Sequence, residues 1–308
     1  MKRLSVVLLM LLVVGATAEL AVGAGAFQWP EKLEKRVRAL ERKITRKGDD
    51  RLGLREGAFA ITAPKASRRL VAEVSLYLQL LEEDFLELFG VNKKVGSVPE
   101  VSITYGVSDS AVFHYSLSQY YISGINQTQI QVTKELRIRV RGGDGELFTD
   151  STARALQPEV TRALVCYSLG NNAGDEAQWF ERSVLAFFAT WDVRDEVDAG
   201  ILARRKRAVM PAAFVESVAA QPPLLSDLIE ARAGFDRNRL EVTFADMLLT
   251  HKKASGARKD LVETIGKALS TSKGVELSKG QTQKLERLWL QHIQETLAVA
   301  AEGADEEH

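Results

Sequence analysis

A single cysteine excludes an intramolecular disulfide, and four histidines leave little with which to build a metal centre. Neither sign of charge is in excess, with 41 Lys and Arg against 41 Asp and Glu. The basic surplus of a nucleic-acid binder is therefore missing, and nucleic acid is not an expected partner. Beyond the first residues no apolar run is long enough to cross a bilayer. The run Gly142-Gly143-Asp144-Gly145 lacks both the spacing and the following Lys of a phosphate-binding loop. There is no internal repeat. What is present is globular in character, with 45% hydrophobic and 27% charged residues in a chain of 308.

The N-terminus has the three parts of a secretory signal. Lys2 and Arg3 precede an apolar run from Leu4 to Val14, and Ala16-Thr17-Ala18 follows as a small-residue cleavage site. Left uncleaved, the segment would be a membrane anchor, but its apolar run is short for a span. The expected location is periplasmic or extracellular. With no disulfide available there, stability has to come from a core.

Hydrophobic spacing predicts an α+β chain: a small mixed sheet in the N-terminal half packed on helices, then a helical C-terminal half. The expected organisation is a signal over 1–18, a charged helical lead-in over 19–56, an α+β domain over 57–299 and an acidic tail over 300–308 that frays. Leu33, Val37, Leu40 and Ile44 recur at helical spacing within the lead-in. Strands are predicted near 57–63, 100–106 and 128–141. A helix over 67–89 carries the stripe Leu70, Val74, Leu78, Leu81, Phe85 and Leu88. A short helix capped by Ser108 is predicted around Val112 and Phe113. Further helices are predicted near 151–169, 176–191, 208–219, 224–232, 238–252, 257–270 and 279–299. The sequon Asn126-Gln127-Thr128 matters only where the source glycosylates exported proteins.

Two of those helices carry the most information. The first holds Pro158-Glu159-Val160-Thr161-Arg162-Ala163-Leu164, and the second Trp179-Phe180-Glu181-Arg182-Ser183 followed by small and aromatic residues. Here the chain resembles the gluzincin metallopeptidases, of the peptidase MA-like kind. Those proteins place H-E-x-x-H on one helix and a W-L-x-E-G-like segment on the next. Leu285-Glu286-Arg287-Leu288-Trp289 is similar to an L-E-x-x-W ending common among them. The resemblance spans about residues 57–297 and implies a peptide or protein as the partner.

The resemblance also implies what is missing. The two zinc-binding histidines correspond to Pro158 and Arg162, and the third ligand, a glutamate, to Arg182. Only the general base survives, as Glu159. Proline has no side-chain lone pair, and a guanidinium repels a dication. Without a metal, Glu159 has no polarised water to deprotonate. The expectation is a degenerate site with no metal, no cofactor and no zinc peptidase activity: an exported pseudopeptidase acting as a binding or structural module. The alternative is a peptidase or other hydrolase with an unrecognised site. Glu159, Arg162 and Arg182 are expected either to form an ionic cluster where the metal would lie or to leave both arginines pointing separately to solvent. Pro158 is expected to kink or restart its helix.

The remaining candidates are weaker. His292 and Glu295 share a helix face at i, i+3, but two ligands are too few for a site. His251 stands beside Lys252 and Lys253, His114 reads as a half-buried packing residue, and His308 is terminal. Cys166 reads as small core filler, with no nearby histidine to serve as its base.

Overall fold

A computed structural model of the chain describes residues 26–48, 50–57, 59–64, 68–89, 100–122, 127–141, 147–169, 178–189, 218, 222–229, 237–271 and 275–305. The expected export signal, the sequon's Asn126, the glycine run and, Val218 aside, the helix expected near 208–219 lie outside the described residues.

Helix α1 (Glu31–Lys43) has Glu31 and Glu34 in its first turn and Arg42 and Lys43 in its last, which complements the helix dipole. It buries Leu33, Val37 and Leu40 against α2 (Arg68–Phe89). Between them run β1 (Thr45–Arg46), β2 (Arg51–Glu56) and β3 (Phe59–Pro64). The stretch read as a helical lead-in thus contributes two strands as well. The β2–β3 turn begins at Gly57, with φ of 60°. That left-handed φ favours glycine, and a Cβ there would in addition displace the Glu82 carboxylate, whose Oε2 would lie 2.5 Å away.

Next come β4 (Glu100–Gly106), β5 (Ser110–Ile122) and β6 (Gln127–Arg141). All six strands form one sheet in the order β1-β2-β3-β4-β6-β5. It is mixed: β3/β4 and β4/β6 are parallel, and the other pairs antiparallel. The strands expected near 57–63, 100–106 and 128–141 share this sheet. The short helix expected after Ser108 is corrected: Val112 and Phe113 lie in β5, paired with Arg137 and Leu136. The run from Ala111 to Tyr115 is β-branched and aromatic, and the long β6 beside it offers a full ladder that outweighs a local cap.

The helical half holds α3 (Asp150–Leu169), α4 (Gln178–Phe188), α5 (Leu225–Ile229), α6 (Arg237–Thr250), a 3-10 turn (Lys252–Ala254), α7 (Ser255–Thr271) and α8 (Lys279–Asp305). Helix α8 runs on to Asp305, into the segment expected to fray. One core unites the two halves. Phe59, Ile61, Val101, Ile103, Leu136 and Ile138 turn inward from the sheet, and α2 is buried along nearly its whole length. Aromatic contacts then cross from helix to helix. Phe85 of α2 stacks on Phe188 of α4 at 5.9 Å, Trp179 meets Phe244 of α6 at 5.9 Å, and Phe244 meets Trp289 of α8 at 5.2 Å. Trp289, from the segment similar to the family's ending, is fully buried and donates to Thr243 Oγ1 at 3.1 Å.

Candidate functional site

Helix α3 starts from a side-chain cap. Thr149 Oγ1 accepts the Thr152 N–H at 3.1 Å and donates to Asp109 Oδ2 at 3.2 Å. The helix is continuous through Pro158, so the expected restart does not occur. Pro158 and Arg154 both lie on the exposed face, the side of a helix on which a carbonyl freed by proline can reach solvent. The inward face buries Leu156, Val160 and Leu164. Helix α4 packs against α3 and buries Trp179, Val184, Phe187 and Phe188. Gln157 Nε2 donates to the Phe188 carbonyl and ties the two helices together.

The polar junction lies where α3, α4 and β5 meet. Glu159 Oε2 accepts the backbone N–H of Phe113 at 2.9 Å. Strand β5 is an edge of the sheet, so Glu159 satisfies a donor that no neighbouring strand takes. Glu159 Oε1 accepts from Arg162 Nη1. Arg162 Nε donates to Glu181 Oε1 of α4 at 3.2 Å. Burial raises the Glu181 carboxyl above its ordinary range, against the pull of Arg162.

The expected cluster is therefore corrected in one member. Glu159 and Arg162 are together, but Arg182 turns to α6, where its Nε donates to Glu241 Oε1 at 2.8 Å. Arg182 directly follows Glu181, and a step of about 100° on a helix sends them to different neighbours. Glu181 occupies the place in the junction that Arg182 was expected to take. Its signal in the sequence was only adjacency to the motif position. Glu241 had no signal at all, because its partner lies 59 residues away.

Beneath the junction sit Cys166, Lys134 and Tyr115. Burial pushes the Cys166 thiol up to about 11, with Lys134 opposing, so the thiol is protonated at neutral pH and is a poor nucleophile. Tyr115 is raised by burial and by Cys166. Lys134, opposite Tyr115 in the β5/β6 ladder, is only 6% exposed. Among the described residues it makes no hydrogen bond and no ion pair. The sequence reading passed over it, because a lysine at an inward strand position is visible only once the pleat is known.

The histidines are placed differently from expectation. His114 is exposed on β5. His292 does not share a site with Glu295. Its Nε2 faces Asp246 Oδ2 of α6 at 3.2 Å, and His251 Nε2 faces Glu295 Oε2 at 3.2 Å. The two rings meet edge to face at 5.7 Å. Gln291, then His251, hold the Glu295 carboxyl below its ordinary range. These pairs stitch α6 to α8. Among the described residues no group of three or more His, Cys, Asp or Glu is placed to hold a metal ion, and no helix is long and apolar enough to cross a membrane.

No protein-family model matches the chain, and no curated protein sequence matches it.

Proposed function

We propose that this is an exported, non-catalytic protein of gluzincin-like descent, a pseudopeptidase that serves as a binding or structural module for a peptide or protein partner. The observation that carries the reading is the Arg162 guanidinium lying between Glu159 and Glu181. In the resembling peptidases a metal cross-links the two helices at this place. Here a fixed organic cation does so, bridging one carboxylate from each helix. Glu159, the one residue kept from the catalytic set, is engaged on both oxygens, by Arg162 and by the Phe113 N–H. Protonating a carboxylate so held would cost it the ion pair with Arg162, which disfavours its use as a general base.

Elemental analysis of the purified full chain tests the reading, together with a peptidase assay on an unstructured protein substrate. The expected outcome is no stoichiometric zinc and no cleavage. One zinc per chain with cleavage would overturn it. A variant carrying Pro158→His, Arg162→His and Arg182→Glu adds a second measurement: zinc uptake by that variant alone supports a scaffold that has lost its metal.

A further inference from the structure

The sheet has a second face that the α3/α4 junction does not use. Side chains alternate across a strand, so the positions between the buried ones point away from the helices. On β6 these are Arg137, Arg139 and Arg141, and on β2 they are Arg51 and Arg55, all five exposed. Lys47 joins them. A Cβ at Gly53 would lie 2.7 Å from Lys47 Cδ, so the lysine stem lies across that glycine on the same face. A Cβ at Gly106 would meet the stem of Arg139 in the same way.

The strand order sets the spacing. Strands β3 and β4 separate the two rows of cations by about 14 Å, and successive arginines along β6 are about 6.7 Å apart. Small residues, Thr62, Ser102 and Thr104, fill the middle. Two acids share the face, Glu100 and Glu135, and Glu135 is taken by Arg137 at 2.8 Å. The other five cations have no ion pair among the described residues. In a chain of zero net charge, this face is a strong local segregation of positive charge.

The rest of the surface narrows the partner. A single-stranded nucleic acid is held by aromatic side chains on which its bases stack, and no Phe, Tyr or Trp stands between the two rows of cations; the outward tyrosine position of β5, Tyr120, lies opposite Gln129, eight residues along β6 from Arg137. Instead, aliphatic tips stand at the rim. Val112 beside Arg137 is 46% exposed, and Val107, just past Gly106, is 88% exposed. Dispersed guanidinium groups with neighbouring aliphatic tips match an interface with phosphates outside and hydrocarbon beneath. We infer that the outer face of the sheet docks on an anionic phospholipid surface.

Co-sedimentation of the full chain with vesicles tests this. Two compositions are needed, phosphatidylcholine alone and phosphatidylcholine with a quarter of phosphatidylglycerol. The readout is the preference for the anionic vesicle, and the two fourfold variants below separate this face from Lys2 and Arg3 of the N-terminal segment, which both variants keep. The preference should fall as salt rises. Combined Arg51→Gln, Arg55→Gln, Arg139→Gln and Arg141→Gln should weaken anionic binding about fivefold per cation. All four side chains are exposed and unpaired, and an unchanged far-UV spectrum verifies folding. A control with Lys252→Gln, Lys253→Gln, Lys259→Gln and Lys284→Gln removes the same charge from other surfaces and should retain the preference. No preference in the natural chain, or equal loss in both variants, would overturn the inference. So would binding through this face to a polynucleotide but not to vesicles.

Discussion

Two junctions in this protein use the same parts and reach different ends. Near the N-terminus, Arg69 donates to both oxygens of Glu34 at 2.8 and 2.6 Å, and its Nε donates to Glu73 at 2.9 Å. In the helical half, Arg162 joins Glu159 and Glu181. Each is one guanidinium holding two carboxylates from two helices. The first is anchored by a shell of aromatics. Trp29 Nε1 donates to Glu73 at 3.2 Å, and Trp29 lies 5.9 Å from Phe148, which meets Phe27 at 5.1 Å. The second has water on one side, since the Arg162 side chain is 43% exposed, and an unpaired lysine beneath it. An Arg–carboxylate chain is thus a structural device in one place. In the other, on the reading proposed above, it stands in for a lost metal.

The largest expected difference comes from removing each arginine. Arg69→Met strands Glu73, whose side chain is only 6% exposed. The expected loss is about 3 kcal/mol, the lower end for breaking a buried pair, because Arg69 itself is partly solvated. Arg162→Met should cost less, about 1–2 kcal/mol, since Arg162 is itself 43% exposed and Glu159 keeps the Phe113 N–H. Denaturant midpoints of the two variants check the ranking, and equal losses would break the comparison.

Lys134 separates the junctions further. Lys134 is buried along its stem, but its Nζ is not among the described buried polar atoms that lack a partner, so Lys134→Met should change stability by less than about 1 kcal/mol. A larger loss would mean that Lys134 supports the Arg162 junction through a contact of its own.

Acid titration gives a smaller effect. Burial first, against Arg162, raises Glu181 above 4.5. Between its ordinary and its raised value, the folded chain holds a proton that the unfolded chain has released. Stability from this group therefore falls as pH rises through that window. Glu181→Gln should flatten that decline, measured as the urea midpoint from mildly acid to neutral pH. Glu34 runs the other way. Hydrogen bonds from Arg69 hold it below 4.5, so its contribution is present at neutral pH and lost on acidification.

The smallest effect on the α3/α4 junction belongs to Arg182. Arg182→Ala loses its bonds to Glu241 and Gln178 and should cost about 1 kcal/mol, because Arg182 is itself partly exposed. It should leave the exchange rate of the Phe113 amide unchanged, whereas Glu159→Ala should accelerate it. Amide hydrogen exchange distinguishes the two.

Periodicity determined a good deal on its own. The stripe from Leu70 to Leu88 and the alternation at Phe59, Ile61, Val101, Ile103, Leu136 and Ile138 identified α2 and three strands, because burial of one face leaves a repeat in the sequence. The apolar faces of α3 and α4 were legible for the same reason, and the pair Glu159–Arg162 followed from i, i+3 spacing. What spacing could not supply was anything settled across elements. The sequence placed Val112 and Phe113 in a capped helix, but the ladder along β6 drew them into an edge strand. Pro158 looked like a break, but it lies on the exposed side of α3, where a freed carbonyl can reach solvent. Arg182 was assigned to Glu159, but the turn of α4 gave it to Glu241 and brought Glu181 in its place. Lys134, the His251–His292 stitch and the row of arginines on the outer sheet face are likewise products of strand pleat and helix packing. Those contacts join residues tens of positions apart, and only the tertiary structure sets the distance and angle at which charges meet.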